Sequence, residues 1–179
     1  VILIETVYLT LPTMELQAEY LSFYQEWKKN GEAMVPWVIS KDPTNFQEML
    51  QFLIAEQKGE NLPEHRAPSS TFWLINENKS VIGAVNIRHR LTEQLLQNGG
   101  HIGYGIRPSE RQKGYATKLL ALSLEKAKQL GIRKALVVCN KSNIGSEKTI
   151  LNNGGVSDSD YIDEHGNIIK RYWINIFRK

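Results

Sequence analysis

The chain has 179 residues, 41% hydrophobic and 23% charged, which suffices to bury one sizeable core, so a single domain spanning 1–179 is expected. The formal net charge is only +3 and its bases are interspersed with acids, which excludes a dedicated nucleic-acid binder. No apolar run approaches the ~20 residues of a membrane span and nothing resembles a leader peptide, so a cytoplasmic protein with no membrane partner is expected. The lone Cys139 excludes an internal disulfide, and four scattered histidines lack ligand spacing, so no metal is expected.

Leu3 to Leu9 is a short run of β-branched, aromatic and aliphatic residues ending before Pro12, and it predicts a strand. Thr13 can cap the helix that follows. Its apolar residues Leu16, Tyr20, Phe23, Tyr24 and Trp27 recur at helical spacing, and Gly31 lies just past its end. A second helix is predicted from about Thr44 to Gln57, with Phe46, Met49, Leu50, Leu53 and Ile54 as its stripe and Gly59 as its stop. Gly59 to Ser70, which contains Pro63 and Pro68, reads as a loop. Thr71–Ile75 and Ser80–Arg88 predict an antiparallel hairpin about the polar turn Asn76 to Lys79.

Thr92–Gln97 predicts a helical turn, closed by Gly99 and Gly100 before a strand from His101 to Ile106. A helix from about Tyr115 to Leu130 stops at Gly131, and the apolar run Ala135–Val138 reads as a buried strand. Ser142 or Asn143 can cap a helix to about Asn152, and two last strands flank the turn Glu164 to Asn167. The order predicts a mixed α/β domain with a mostly antiparallel sheet and flanking helices, not a repeating parallel fold. The final strand, Arg171 to Phe177, offers an edge for pairing across a homodimer.

The stretch Ile102 to Ala116 carries the chemistry, because a strand runs through Arg111, Gln112, Lys113 and Gly114 into a helix. A helix start presents amides without intrahelical partners and a partial positive charge, and small residues let an anion approach them closely. A plain strand-to-helix turn with one glycine for geometry is the bland alternative. A nucleotide-triphosphate loop would need its lysine after the glycine, whereas Lys113 precedes Gly114. A dinucleotide fold would need three glycines in one loop, whereas Gly103, Gly105 and Gly114 straddle a strand and a loop.

Arg111, Gly114 and Ala116 match the pyrophosphate signature of the GCN5-related N-acetyltransferases (GNAT), which is Gln or Arg, two residues, Gly, one residue, then Gly or Ala. Asn143, Ser146 and Gly154 resemble that family's later motif, and a predicted-acetyltransferase group whose loop reads Ile-Arg-Pro-Ser-Glu-Arg looks closest. The resemblance spans about the whole chain and is strongest from Gly100 to Gly155. It implies the GNAT-like acyl-CoA N-acyltransferase fold and acetyl-CoA as co-substrate. The implied contacts to acetyl-CoA are Tyr104, Gly105, Ile106, Arg111, Gln112, Lys113, Gly114, Tyr115, Ala116, Thr117, Asn143 and Ser146. It also implies an acceptor that is a primary amine of a small molecule or peptide.

Transfer to an amine calls for something to take a proton and a donor for the departing thiolate. His101, at the head of the strand leading to the loop, is the candidate base, with His89 second. The family's usual proton donor is a tyrosine seven residues after the motif asparagine, and here Ile150 stands there. Either the thiolate then leaves without a side-chain acid, or Tyr104, Cys139 or an ordered water replaces the tyrosine. That departure also motivates an alternative reading, a non-catalytic acetyl-CoA sensor. Trp37, behind Pro36 between the first two helices, marks a segment that shapes the acceptor pocket in related folds.

Overall fold

The computed structural model describes residues 5–177. Its first strand, β1 (Val7–Thr10), begins later than the sequence suggested, and Leu3 and Ile4 lie outside the described residues. Thr13 caps a short 3-10 turn that leads into α1 (Gln17–Asn30), whose buried Tyr20, Phe23, Tyr24 and Trp27 form one face. Gly31 closes the helix in a left-handed conformation, φ 77°. A second 3-10 turn at Trp37–Ser40, which the sequence did not signal, precedes α2 (Phe46–Lys58), capped by Asn45.

β2 (Ser69–Asn76) and β3 (Val81–Arg88) form the expected antiparallel hairpin. After α3 (Glu93–Gln97), β4 (Ile102–Ile106) pairs antiparallel with β3, giving a four-stranded sheet of order β1-β2-β3-β4. Both faces of this sheet are covered, because alternate side chains supply two cores. Trp73, Ile75, Val81 and Ala84 pack with α1 and α2, and Trp73 stacks on Tyr20 with ring centroids 4.3 Å apart. Leu74, Ile82, Val85 and Ile87 pack on the other face with Leu119 and Leu120 of α4 (Tyr115–Gln129).

β5 (Lys134–Asn140), α5 (Ile144–Asn152), β6 (Val156–Ile162) and β7 (Ile168–Asn175) complete the chain. These three strands form a second antiparallel sheet of order β5-β7-β6. The final strand is therefore interior, with neighbours on both sides, and it offers no edge across which a homodimer could pair; β5 and β6 are the edges instead.

The two sheets meet at one point. The His101 amide donates to the Leu136 carbonyl (2.7 Å) and the Leu136 amide donates to His101 Nδ1 (2.9 Å). Beyond it, among the described residues, no strand pairs with the outer side of β4 or with the facing side of β5, so the sheets splay apart. Gly100, φ 63°, makes the junction possible, because any Cβ there would run into the Leu136 carbonyl.

Candidate active site

The splay opens a cavity of about 860 Å³ whose walls are β4, the β4–α4 loop, the start of α5 and the segment after α1. The loop is held from beneath by Glu26 of α1. Its carboxylate accepts from Arg107 Nε (3.1 Å), from the Ser109 amide (3.0 Å) and from the Ser109 hydroxyl (2.9 Å). Burial pushes this carboxyl up, but the Ser109 hydrogen bonds and the Arg107 charge outweigh it and hold it below the usual range.

Past that clamp the backbone turns twice through positive φ, at Gln112 (60°) and Gly114 (87°), and enters α4 with no side chain capping its start. The consequence is a run of free donors. The amides of Gln112 to Thr117 make no hydrogen bond to a described residue, and the next one, Lys118, bonds to the Gly114 carbonyl at 3.3 Å. Free amides converging at the positive end of a fifteen-residue helix can hold a diphosphate without any basic side chain.

The two basic side chains expected to help are engaged elsewhere. Arg111 Nε donates to the Ile106 carbonyl (3.1 Å), its Nη1 pairs with Glu32 (2.6 Å), and its guanidinium lies 5.0 Å from the centre of the Trp27 ring. It locks loop, strand end and α1 together. Lys113 turns to Glu110 (3.1 Å) and, unlike Arg111, is not part of the cavity wall.

Tyr104, Gly105, Ile106, Gln112, Gly114, Tyr115, Ala116, Thr117, Asn143 and Ser146 all reach the wall. Asn143 uses its side-chain oxygen to accept from the Ser146 amide (3.1 Å) as the cap of α5, and its NH2 group bonds to no described residue. Tyr104 Oη lies 2.8 Å from Ser146 Oγ, a contact from β4 to α5 across the mouth of the splay. Burial pushes the Tyr104 phenol up to about 12 despite that hydrogen bond, so it keeps its proton at neutral pH.

His101 is not in this wall, and the geometry removes it as a base. Its Nδ1 lone pair is occupied by the Leu136 amide, so the neutral ring carries its proton on Nε2 and has no second lone pair to offer. Burial and then the Arg88 charge lower its pKa to about 4. His89 also lies outside the cavity, with its Nε2 2.7 Å from Ser70 Oγ. Cys139 reaches the wall, and burial and then the Glu147 charge raise its thiol to about 11, so it too keeps its proton at neutral pH. Ile150 is completely buried and packs against Gly155.

Several wall residues were not singled out from the sequence. Gly103 is one, on the same face of β4 as the expected Gly105, where a Cβ would strike the Val35 carbonyl and the Trp27 ring. Glu32, Val35 and Arg88 border the same space. A glycine on alternate strand positions was the readable signal for close approach of another segment.

A sequence model of the acetyltransferase (GNAT) domain matches residues 9–156. No curated protein matches the sequence. Among solved structures, a dodecameric spermidine N-acetyltransferase from Vibrio cholerae superposes with a TM-score of 0.65 at 17% identity, covering 95% of this chain and 94% of that one. A ribosomal-protein-S5-alanine acetyltransferase from Vibrio fischeri superposes with a TM-score of 0.71 at 13% identity, covering 97% and 95%. At such identities the likeness speaks for the fold.

Proposed function

The chain belongs to the GNAT family of acetyl-CoA-dependent N-acetyltransferases, and from that premise we propose that it moves an acetyl group directly onto the primary amine of a small molecule or peptide. The chain from 1 to 179 then works as one catalytic domain. The observation that carries the reading is the run of free amides from Gln112 to Thr117, opening onto the splay between β4 and β5.

The residues fit acetyl-CoA as co-substrate. The amides and the positive helix end suit its diphosphate, and the unpaired outer side of β4 suits an extended arm rich in amide groups. Tyr104, Gly105 and Ile106 line that arm's course, and Asn143 and Ser146 face it from α5. Acetyl-CoA supplies the activated acyl group as a thioester.

The described residues place no free base in the wall, because Glu32 is paired with Arg111 and Glu110 with Lys113. The acceptor therefore attacks as the neutral amine it brings to the site. A carbon–nitrogen bond forms, the carbon–sulfur bond breaks, and the proton lost by the amine balances the departing thiolate. Tyr104, protonated throughout the neutral range, acts as hydrogen-bond donor to the charge that develops there. It takes over the place that Ile150 cannot fill.

Thermal unfolding with and without acetyl-CoA, followed by thiol release across an amine panel, tests the reading. The expected result is stabilisation by acetyl-CoA that Gly114→Glu abolishes, because a side chain at φ 87° is strained and a carboxylate repels the anion. Unchanged stability with acetyl-CoA refutes cofactor binding. Stabilisation without thiol release for any amine refutes transfer and leaves a sensor.

A further inference from the structure

Among the described residues of the cavity wall, one cation has no counter-charge. Arg88, at the end of β3, borders the cavity. Its Nη1 donates to the Gly99 carbonyl at 3.2 Å, and neither Nε nor Nη2 bonds to a described residue. No carboxylate among the described residues pairs with it, although Arg66, Arg107, Arg111 and Arg171 all have acidic partners. Burial alone lowers its pKa, to about 10, so the protein bears the cost of a poorly solvated guanidinium and offsets it with a single carbonyl.

Its surroundings are cleared to keep it available. Gly103 lies directly beneath, and a Cβ there would sit 3.1 Å from both terminal nitrogens. On the same face of β4, Gly105 makes room for Trp27 and the Val35 carbonyl, so the strand presents no side chain at either position on the face that carries the guanidinium. The anion it awaits is not the diphosphate. Gly103 stands at the start of β4 and the amide run follows its far end, so the length of the strand lies between the two.

We propose that Arg88 is a specificity-determining residue that binds a carboxylate on the acceptor, so that the substrates are amines carrying a carboxylate, such as amino acids or peptides. This rests on the transfer reading above. A guanidinium whose Nε and Nη2 are both free suits a carboxylate's paired oxygens, and an unpaired cation repels a polycationic amine. The assignment thus separates this chain from the spermidine enzyme whose fold it shares.

The test compares kcat/KM for amino acids and dipeptides with their C-terminal amides, and with spermidine, in the native protein and in Arg88→Gln, Arg88→Lys and Gly103→Ala. The native protein should favour the carboxylates by about 10- to 100-fold over the amides. Arg88→Gln should erase the preference through KM while acetyl-CoA binding is unchanged. Arg88→Lys should keep part of it, and Gly103→Ala should weaken it by displacing the guanidinium with its charge intact. Acetylation of the amides or spermidine as readily as of the carboxylates overturns the assignment and leaves the transfer reading standing. So does a preference that survives both Arg88→Gln and Gly103→Ala. If Arg88→Gln does not fold, Arg88→Lys and Gly103→Ala decide. A native protein that binds acetyl-CoA and acetylates no amine of any set removes the transfer reading and this assignment together.

Discussion

Acidification should loosen the pin between the two sheets. His101 is neutral in the folded protein because its Nδ1 must accept the Leu136 amide, and burial with the Arg88 charge lowers its pKa from 6.5 to about 4. In the unfolded chain the ring titrates at its ordinary value, near 6.5. As the pH falls below 6.5, the unfolded chain gains a proton that the folded one refuses, so stability declines through the window from 6.5 to about 4 and levels off below it. At about 1.4 kcal/mol per tenfold difference in proton affinity, the loss is about 1.4 kcal/mol by pH 5.5 and about 3 kcal/mol in all. His101→Gln can still offer an oxygen to the Leu136 amide and does not titrate, so it isolates the term. Urea unfolding of both proteins at pH 7, 5.5 and 4.5 should show the native protein losing more stability on acidification than the variant, by those amounts. Glu26 and the other carboxylates contribute equally to both and cancel. Parallel pH profiles would refute the neutral pin, and a collapse of kcat in His101→Gln at pH 7 with acetyl-CoA binding intact would return the residue to the chemistry.

Two further substitutions probe the splay. Tyr104→Phe should lower kcat about 100-fold with little change in acetyl-CoA affinity, because it removes a donor from the developing charge and leaves the packing of the ring; unchanged single-turnover rates would count against the role. Glu26→Gln should weaken acetyl-CoA binding about tenfold, read by calorimetry, because it removes the charge that holds Arg107 and the Ser109 turn beneath the loop. Unchanged affinity would mean that the turn holds itself.

What the sequence made legible was what repeats or punctuates. The buried face of α1, the hairpin of β2 and β3, and the glycine that admits α4 follow from period, turn chemistry and a local motif, and each of those is written within a few residues. The division into two sheets depends on pairings between distant segments, and nothing local in Arg171–Asn175 distinguishes an interior strand from an edge. The engagements of Arg111 and His101 were hidden for the same reason. A basic residue beside a phosphate loop and a histidine beside a strand look available in sequence, yet Glu32, Trp27 and Leu136 reach them from far along the chain. Arg88 stood unremarked because the lack of a partner is a property of the assembled cavity.

The alternation Ile102, Gly103, Tyr104, Gly105, Ile106 assigns the two sides of β4 to different tasks. Ile102 and Ile106 anchor in the core that α4 covers, and Tyr104, on that same side, reaches Ser146. Gly103 and Gly105 face α1 and leave space for the Arg88 guanidinium and for Trp27. Successive side chains in a strand point to opposite faces, so this division depends on register. A slip of one residue would drive Tyr104 into Trp27 and the Val35 carbonyl and would leave the α4 core with glycines where it needs isoleucines. The pairs Gly105 with Ala84 and Gly103 with Asn86 fix the register against β3, while the His101–Leu136 contact fixes where the opposite side of the strand departs from β5. The bulky and the missing side chains of one five-residue strand therefore set both where the thioester can lie and where the amine can approach it.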